Sequence, residues 1–259
     1  MARSFGDVAA EVGPDGVATA ELRRPPDNFF DAALIASLAD AYDWLGGEAG
    51  ARAIVLCSQG RNFCAGADLT GRSAQAERIG ESDGAAKLYR EAARLFEARL
   101  PVVAAVQGGA VGGGLGLACS ADFRVASPRA WFRANFARLG LHQGFGLSVT
   151  LPAIAGAQRA AEMLYTGRRV GGEEAARFGL ADRLAEPGRL REAARDLVAA
   201  SAPLAVRSIR DTVRGDLARR ARAAMEAELA EQRRLWGTAD FAEGVRASAE
   251  RRAPRFEGR

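Results

Sequence analysis

Lysine, histidine and cysteine are nearly absent from this chain. Of 259 residues, one is a histidine and three are cysteines, and Lys87 is the only lysine. A lysine Schiff base or a lysine general base therefore has one candidate. The odd number of cysteines, with no CxxC pair, argues against a disulfide framework and against a zinc site. We expect a reducing, cytoplasmic environment and no bound metal.

Long apolar segments are also rare. The N-terminal MARSFGDVAAEVG has no apolar stretch of signal-peptide length, so we expect no signal peptide. Residues 100–120 carry no charge, and a segment of that length can span a bilayer. Pro101, Gln107 and six glycines dilute its apolarity, however, and charged residues follow at once. We therefore predict a buried strand followed by a buried helix, and no membrane contact.

The composition is that of an ordinary soluble globular protein. Hydrophobic residues make up 48% and charged residues 26% of the chain. The formal net charge of +4 slightly favours an anionic partner, but the basic residues are spread along the sequence. We expect no nucleic acid as a partner.

Apolar runs and helical spacings alternate along the chain. The predicted strands are a hairpin around GPDG that ends in GVATAEL, then ARAIVLCS, VVAAVQG and ADFRVAS. The predicted helices are ALIASLADAYDWL capped by Asp31, AAKLYREAARLFEARL closed by Pro101, SVTLPAIAG with the residues up to TGRRV, and nearly everything from Arg189 onward. This alternation favours an α/β fold with parallel strand pairing. We predict a core at residues 1–197 and a helical lid or oligomerisation region at residues 198–259.

Residues 108–119 read GGAVGGGLGLAC, and six of these twelve are glycine. A Walker phosphate loop needs a lysine, which is missing, and the dinucleotide fingerprint fails at Cys119, where glycine is required. A junction of strand, glycines and helix can hold an oxyanion on the free N–H groups at the start of the helix. Tight packing alone is an equal alternative for this run. Within it we predict turns at Gly108 and Gly109 and close backbone approach at Gly112 to Gly114. NFCAGADL offers a second such junction, so two N–H groups can reach one carbonyl oxygen.

These two segments together carry a family resemblance. NFCAGADL, followed by AAVQGGAVGGGLGLACSADFRVAS, resembles the crotonase family, also called the enoyl-CoA hydratase/isomerase family. RRPPDNFFD, TGRRVGGEEAARFGLADRL and ADFAEGVRASAERRAPRFEGR are similar to it too, so the resemblance covers nearly the whole chain. It implies a spiral of ββα units with a helical C-terminal part, homotrimers or dimers of trimers, and an acyl-CoA thioester as substrate. Coenzyme A would then enter only as part of that thioester, with no permanently bound cofactor.

The resemblance also implies roles for individual residues. Two backbone N–H groups would polarise the thioester carbonyl, and further residues would contact coenzyme A. The oxyanion donors would be Ala67 and Gly113; Ala65, Asp68 and Leu69 would lie along the adenine and pantetheine groups; Arg24 would lie near the phosphates; and Phe241 or Phe256 would touch the adenine.

The sequence departs from the family pattern at both catalytic glutamates of the hydratases. The matching positions are Gly116 and Phe136, and neither residue can move a proton. A positioned acid or base contributes about 100- to 10,000-fold in rate, so ordinary hydration is not expected. Isomerisation, decarboxylation and an atypical hydration remain open. The alternative is a CoA-ester-binding protein without catalysis.

Few residues are available to replace the glutamates. His142 is the only histidine and has a useful pKa for proton transfer, but a turn cap or packing against Phe145 explains it as well. Some relatives, such as dienoyl-CoA isomerases, place an acting aspartate in this loop, near Gly144. Asp68 fits a helix cap better than a base, and we expect Tyr89 to be solvated.

Two further groups of residues lie near the expected acyl site. Glu81 and Asp83 belong to a polar stretch that we expect to be solvated. Phe132, Phe136 and Phe145 add apolar bulk, which favours an apolar or aromatic acyl group, although ordinary core packing is equally compatible. A serine hydrolase is weakly supported, because the single histidine has no clear serine or aspartate partner in sequence.

Overall fold

A computed structural model describes residues 1–69 and 84–259. The segment between these ranges contains Glu81 and Asp83, so the predictions for these two residues lie outside the described residues.

The described strands form two sheets. In chain order they are β1 (Ala2–Phe5), β2 (Val8–Val12), β3 (Val17–Leu22), β4 (Ala53–Ser58), β5 (Val102–Val106), β6 (Gly109–Val111), β7 (Phe123–Ala126), β8 (Trp131–Arg133), β9 (Arg169–Gly171) and β10 (Arg183–Leu184). The larger sheet has the order β1-β2-β3-β4-β5-β7-β10. Strands β1, β2 and β3 pair antiparallel, and the pairs from β3 to β10 are parallel.

The central strands of the larger sheet confirm the sequence prediction. Every residue of β4 and β5 is buried, which explains why both read as continuous apolar runs. The hairpin around GPDG forms as β2 and β3, with Val12 opposite Ala18. The sheet therefore places the carboxyl ends of β4 and β5 side by side, and each glycine-containing motif follows one of these ends.

The smaller sheet has the order β6-β8-β9 and was not predicted. Its strands have three residues each, too short to produce an alternating pattern in the sequence. We predicted turns at Gly108 and Gly109, and this is wrong for Gly109. That residue begins β6 and lies opposite Trp131 of β8. Part of the glycine run is therefore a strand.

The described helices lie on both faces of the larger sheet, and they make up most of the C-terminal third of the chain. They are α1 (Ala32–Gly46), α2 (Gly84–Phe96), α3 (Gly113–Ser120), α4 (Leu147–Ala155), α5 (Ala157–Thr166), α6 (Gly172–Arg177), α7 (Leu190–Ala199), α8 (Pro203–Arg214), α9 (Leu217–Trp236) and α10 (Ala239–Glu250). The predicted Asp31 cap is confirmed, because its side chain accepts the N–H of Leu34. Helix α2 ends at Phe96, earlier than the predicted stop at Pro101.

The uncharged segment 100–120 contains the predicted buried strand, β5, and the predicted buried helix, α3. Strand β6 lies between them and was not predicted. In the part of the chain that the structure describes, no helix combines the length and the apolarity needed to cross a membrane.

Helix α8 is fixed to the core by a largely buried ion cluster. Asp122, immediately before β7, pairs with Arg210 at 2.9 Å and with Arg214 at 2.7 Å, both from α8. Its carboxylate also accepts the backbone N–H of Val102. Helix α9 packs against α2 and α4. The division at residues 197 and 198 stays a prediction.

Candidate active site

The two glycine-containing segments lie against each other, backbone to backbone. The N–H of Cys64 donates to the carbonyl of Gly109 at 3.0 Å, and the N–H of Val111 donates to the carbonyl of Cys64 at 3.0 Å. A Cβ atom on Gly114 would overlap the Cys64 carbonyl. Glycine at 114 therefore permits this close approach, as the sequence predicted.

Two glycines turn the chain into the site. Gly66 has φ +82° and Gly112 has φ +55°, values that other residues rarely adopt. A Cβ atom on Gly66 would lie 3.3 Å from the backbone nitrogen of Gly113. The turn at Gly66 therefore brings Ala67, the next residue, beside the start of α3.

The N–H groups of Ala67 and Gly113 are available to a ligand. Among residues 1–69 and 84–259, neither group donates a hydrogen bond to another described residue. Gly113 is the first residue of α3, where helical N–H groups have no partner within the helix and the dipole favours negative charge. Both residues line one cavity of about 180 Å³. This arrangement can stabilise an oxyanion.

The cavity has an aromatic wall. Phe30, Phe136 and Phe145 line it, and the ring centroids of Phe30 and Phe145 are 5.4 Å apart. Phe136 and Phe145 thus place large apolar side chains on the cavity wall, as predicted. The prediction is wrong for Phe132, which lies on β8 with its side chain fully buried in the core.

Aromatic side chains fill the space at Gly116 and Phe136, the two positions where the family resemblance implies glutamate. A Cβ atom on Gly116 would lie 2.5 Å from the Cβ of Phe145. Phe145 itself has φ +61°, which is uncommon for a bulky residue and costs conformational energy. Phe136 occupies the second position and lines the cavity. The described residues thus present no carboxylate at either position.

Tyr89 was predicted to be solvated, and this is wrong. It is partly buried and lines the cavity, and its hydroxyl donates to Oε1 of Gln232 at 2.9 Å. Nε2 of Gln232 donates to the carbonyl of His142 at 3.0 Å. A Cβ atom on Gly144 would overlap the Tyr89 hydroxyl. The tyrosine therefore fills the space that an acidic side chain at position 144 would need.

Burial dominates the electrostatics of Tyr89. It raises the pKa of the hydroxyl far above its ordinary value, and the charge of Glu228 raises it further. A hydrogen bond with the backbone of Phe145 lowers the pKa by a smaller amount. Tyr89 therefore carries its proton at neutral pH.

Glu228 holds the loop that contains Phe145. This carboxylate is 1% exposed and accepts the N–H of Gly146 at 2.8 Å and of Ser148 at 2.9 Å. Helix α4 has no side-chain cap of its own at Gly146, so α9 supplies one. Sequence patterns gave no sign of Glu228 or Gln232, because both come from a helix distant in sequence and look like ordinary polar positions.

Most of the residues that were predicted to contact the thioester line a single cavity. Ala65, Asp68 and Leu69 line the same cavity as Ala67 and Gly113. Asp68 is buried and already has an interaction partner.

Arg24 lies apart from this cavity and is held by two carboxylates. Its guanidinium contacts Asp7 at 2.6 Å and Asp31 at 2.9 Å, and its side chain is 13% exposed. A phosphate near Arg24 would have to compete with both aspartates.

His142, Phe241 and Phe256 are not among the described residues of the cavity wall. His142 is partly buried, with Nδ1 2.8 Å from the carbonyl of Gln143. Phe241 lies in the first turn of α10, where its N–H donates to the Thr238 hydroxyl. Phe256 follows α10 and is 43% exposed. The structure thus leaves these three residues off the described cavity wall on which Ala67 and Gly113 lie.

The cysteines do not contribute a nucleophile to the site. All three are free and buried, and burial raises the pKa of Cys57 and Cys64 to about 12 and that of Cys119 to about 11. Thiols of such high pKa are poor nucleophiles at neutral pH. Among the described residues, no group of histidine, cysteine, aspartate and glutamate side chains has the arrangement of a metal site.

Comparison with known proteins gives consistent matches over the whole chain. The family model for enoyl-CoA hydratase/isomerase matches residues 13–259. Carnitinyl-CoA dehydratase of Proteus mirabilis (strain HI4320) is 32% identical over 246 residues, covering 92% of this chain and 94% of the relative. A protein of Rhodobacter capsulatus named "Probable enoyl-CoA hydratase" is 34% identical, covering 99% of this chain and 100% of the relative.

Solved structures agree with these matches. An enoyl-CoA hydratase/isomerase from Pseudoalteromonas atlantica T6c superimposes with a TM-score of 0.84 at 28% identity, covering 97% of this chain and 100% of its own. An enoyl-CoA hydratase from Mycobacterium avium subsp. paratuberculosis K-10 gives a TM-score of 0.82 at 25% identity, covering 98% of this chain and 99% of its own. The expected α/β spiral with a helical C-terminal part is therefore confirmed.

Proposed function

Because the chain belongs to the enoyl-CoA hydratase/isomerase family, whose members act on CoA thioesters, we propose that it stabilises a thioester enolate with the N–H groups of Ala67 and Gly113. The observation that carries the proposal is that these two N–H groups line one cavity and donate to no other group among the described residues. One donor of this kind typically contributes about 100- to 1000-fold in rate. No cofactor beyond the coenzyme A of the substrate is required.

The reaction differs from ordinary hydration. Hydration needs groups that move protons to and from water, and the two family positions hold Gly116 and Phe136. Isomerisation, decarboxylation and an atypical hydration all pass through an enolate, which two such N–H donors can stabilise. The aromatic wall around Phe145 favours an apolar or aromatic acyl group at this point.

Coenzyme A would extend from the cavity along Ala65, Asp68 and Leu69. We retain Arg24 near the phosphates and Phe241 or Phe256 at the adenine as proposals, the latter two reaching the ligand from a neighbouring subunit of a homotrimer or a dimer of trimers. We also retain the cytoplasm as the location of the protein.

His142 as an acid or base stays a prediction. If it takes part, His142→Ala lowers turnover at least tenfold. Its Nδ1 faces the carbonyl of Gln143. Full activity of His142→Ala would exclude the histidine from the mechanism.

A CoA-ester-binding protein without catalysis is the second candidate. The observation that favours it is the contact between Phe145 and Gly116, which leaves no room for one of the two family acids. Incubation with enoyl-, dienoyl-, β-keto- and malonyl-type CoA thioesters, followed by mass spectrometry, separates the two candidates. Tight binding without conversion of any thioester would favour this second candidate.

A matched pair of variants tests the oxyanion donor. Gly113→Ala and Gly113→Pro both add a Cβ atom against the ring of Phe30, but only proline removes the N–H. Proline is also well tolerated at the first position of a helix. The contact with Phe30 should lower turnover in both variants, but we expect turnover to remain measurable in Gly113→Ala and to be lost in Gly113→Pro. Measurable and equal turnover in both would contradict the proposal.

A further inference from the structure

A second cavity shares part of its wall with the cavity that contains Ala67 and Gly113. It has a volume of about 300 Å³ and lies between β8, the helical turn at residues 137–139 and the end of α10. The residues that line both cavities are Asn135, Leu139 and Ser248. The two cavities are therefore neighbours.

The described wall of the second cavity carries four arginines and no carboxylate. The arginines are Arg133, Arg138, Arg251 and Arg252. We name this cavity the arginine pocket. Arg252 is already neutralised, because it pairs with Glu243 and Glu250. The other three have no carboxylate partner among the residues with a described position. The pocket thus presents three positive charges without a counter-ion.

Arg133 keeps part of its guanidinium available at this pocket. Its Nε donates to the carbonyl of Gly167 at 2.7 Å, and its two terminal nitrogens donate to no described residue. Arg133 lies opposite Arg169 in the pairing of β8 with β9, and like charges in such a position destabilise a sheet. Burial lowers the pKa of Arg133, and the charges of Arg138 and Arg169 lower it further. An anion in the pocket would relieve this repulsion.

Arg251 occupies a backbone position that favours glycine. It ends α10 with φ +58°, in the left-handed region where a side chain costs conformational energy. The C-terminus of a helix also attracts a cation, but the neighbouring Arg252 supplies one. The side chain of Arg251 lines the arginine pocket. Its presence there favours a role for its charge in binding.

From these observations we propose that the arginine pocket binds a carboxylate, and that this carboxylate ends the acyl chain of the thioester. A guanidinium offers paired donors whose geometry matches a carboxylate. A free dicarboxylate carries the same chemistry, but the wall that Asn135 and Leu139 share between the two cavities favours the acyl chain as its source.

This inference rests on the proposed function, because it places the other end of the same acyl chain at Ala67 and Gly113. The substrate class is then a dicarboxylic acyl-CoA with an apolar middle. The apolar middle suits the aromatic wall around Phe145, and the charged end lies beyond that wall. The two cavities thus have complementary tasks.

Thioesters that differ only in charge test the pocket. Glutaryl-, adipyl- and suberyl-CoA are compared with their terminal methyl esters in binding to the full chain by isothermal titration calorimetry at fixed ionic strength. The wild type should bind at least one of the acids about tenfold or more tightly than its ester, because the ester keeps the apolar contacts and loses the charge. Equal affinities of acid and ester at all three chain lengths would overturn the assignment to the acyl chain.

Two variants remove charge from the pocket and should fold. Methionine in Arg133→Met keeps an apolar stem of similar length, and glycine in Arg251→Gly suits φ +58°. Each should lose most of the preference for the acid and change the affinity for the ester less than threefold. Arg233→Met removes an exposed arginine of α9 that lines neither described cavity wall, and it should keep the preference. An unchanged preference in both pocket variants would overturn the site.

Glutarate separates the two sources of the carboxylate. Binding of glutarate that Arg251→Gly weakens, with no preference among the thioesters, would support the carboxylate site and overturn its use for the acyl chain. No glutarate binding and no preference would overturn the arginine pocket as a site. Failure of the wild type to bind either acids or esters would overturn the proposed function, and glutarate would still decide whether the pocket takes a carboxylate.

Discussion

Phe145 occupies the space that a side chain at position 116 would need. A Cβ atom on Gly116 would lie 2.5 Å from the Cβ and 3.0 Å from the Cγ of Phe145. The two positions are therefore linked: the left-handed backbone at 145 and the missing side chain at 116 belong to one packing arrangement. Glycine at position 116 is thus required by the way this cavity is packed.

This contact predicts that Gly116→Glu destabilises the fold. Overpacking of a close-packed core typically costs about 1–3 kcal/mol, and the new carboxylate adds a desolvation cost. Urea unfolding of the variant and the wild type measures the difference. Phe145→Gly alone also destabilises because it empties part of the core, although it removes the clashing Cβ atom and suits φ +61°. The double variant should therefore lose less than the sum of the two single losses, and losses that simply add would contradict the linkage.

Restoring both family glutamates should create hydratase activity. We expect Gly116→Glu, Phe136→Glu and Phe145→Gly together to hydrate crotonyl-CoA measurably, because each positioned acid or base contributes about 100- to 10,000-fold. Absorbance of the enoyl thioester follows the reaction. The same triple variant with Gln at 116 and 136 is the control for packing. Equal rates in the two triple variants would show that positions 116 and 136 are not the family acid positions.

The carboxylate of Glu228 should be essential to the loop beside the cavity. Glu228→Gln replaces one acceptor oxygen by a donor that faces the N–H of Gly146 or Ser148. An unsatisfied buried group costs about 1–3 kcal/mol, so we expect a loss of that size in denaturant unfolding. Glu226→Gln, at an exposed position of the same helix, should change stability very little. A similar loss in both variants would contradict the capping role.

The buried thiols should make stability fall at alkaline pH. Their folded pKa values are raised to about 11 or 12, whereas a thiol in the unfolded chain ionises near its ordinary value of 9.0. Ionisation therefore favours the unfolded state above about pH 9, and the free energy of unfolding falls as the pH rises toward 12. Urea unfolding at pH 8 and pH 10.5 measures the loss.

The matched comparison for the thiols is Cys64→Ser. It removes one ionisable group, so its stability should fall less between pH 8 and pH 10.5 than that of the wild type. Equal losses would mean that the Cys64 thiol is not protected by the fold.

The glycine-containing motifs predicted the core of the site because their information is local. Gly66, Gly112 and Gly114 are needed where two backbones approach, and such positions leave a visible pattern. The central strands and the Asp31 cap were predictable for the same reason. Ala67 and Gly113 therefore fell on one cavity, as expected.

The rest of the site depends on contacts that no local pattern records. Tyr89 lines the cavity and is held there by a hydrogen bond to Gln232, which is 143 positions away in sequence. Glu228 meets Gly146 in the same way, from a helix whose polar residues look alike. The spacing of apolar residues predicts that α9 has a buried face, but it does not predict which loop that face contacts.

The central claim is that Ala67 and Gly113 polarise a thioester carbonyl, and infrared spectroscopy of a carbonyl-labelled acyl-CoA tests it most directly. A saturated thioester such as ¹³C-labelled butyryl-CoA serves as the probe. We predict that its carbonyl band moves to lower frequency on binding to the wild type and to Gly113→Ala, and that the shift is much smaller with Gly113→Pro. A bound thioester whose carbonyl band stays at its solution frequency in the wild type would contradict the claim.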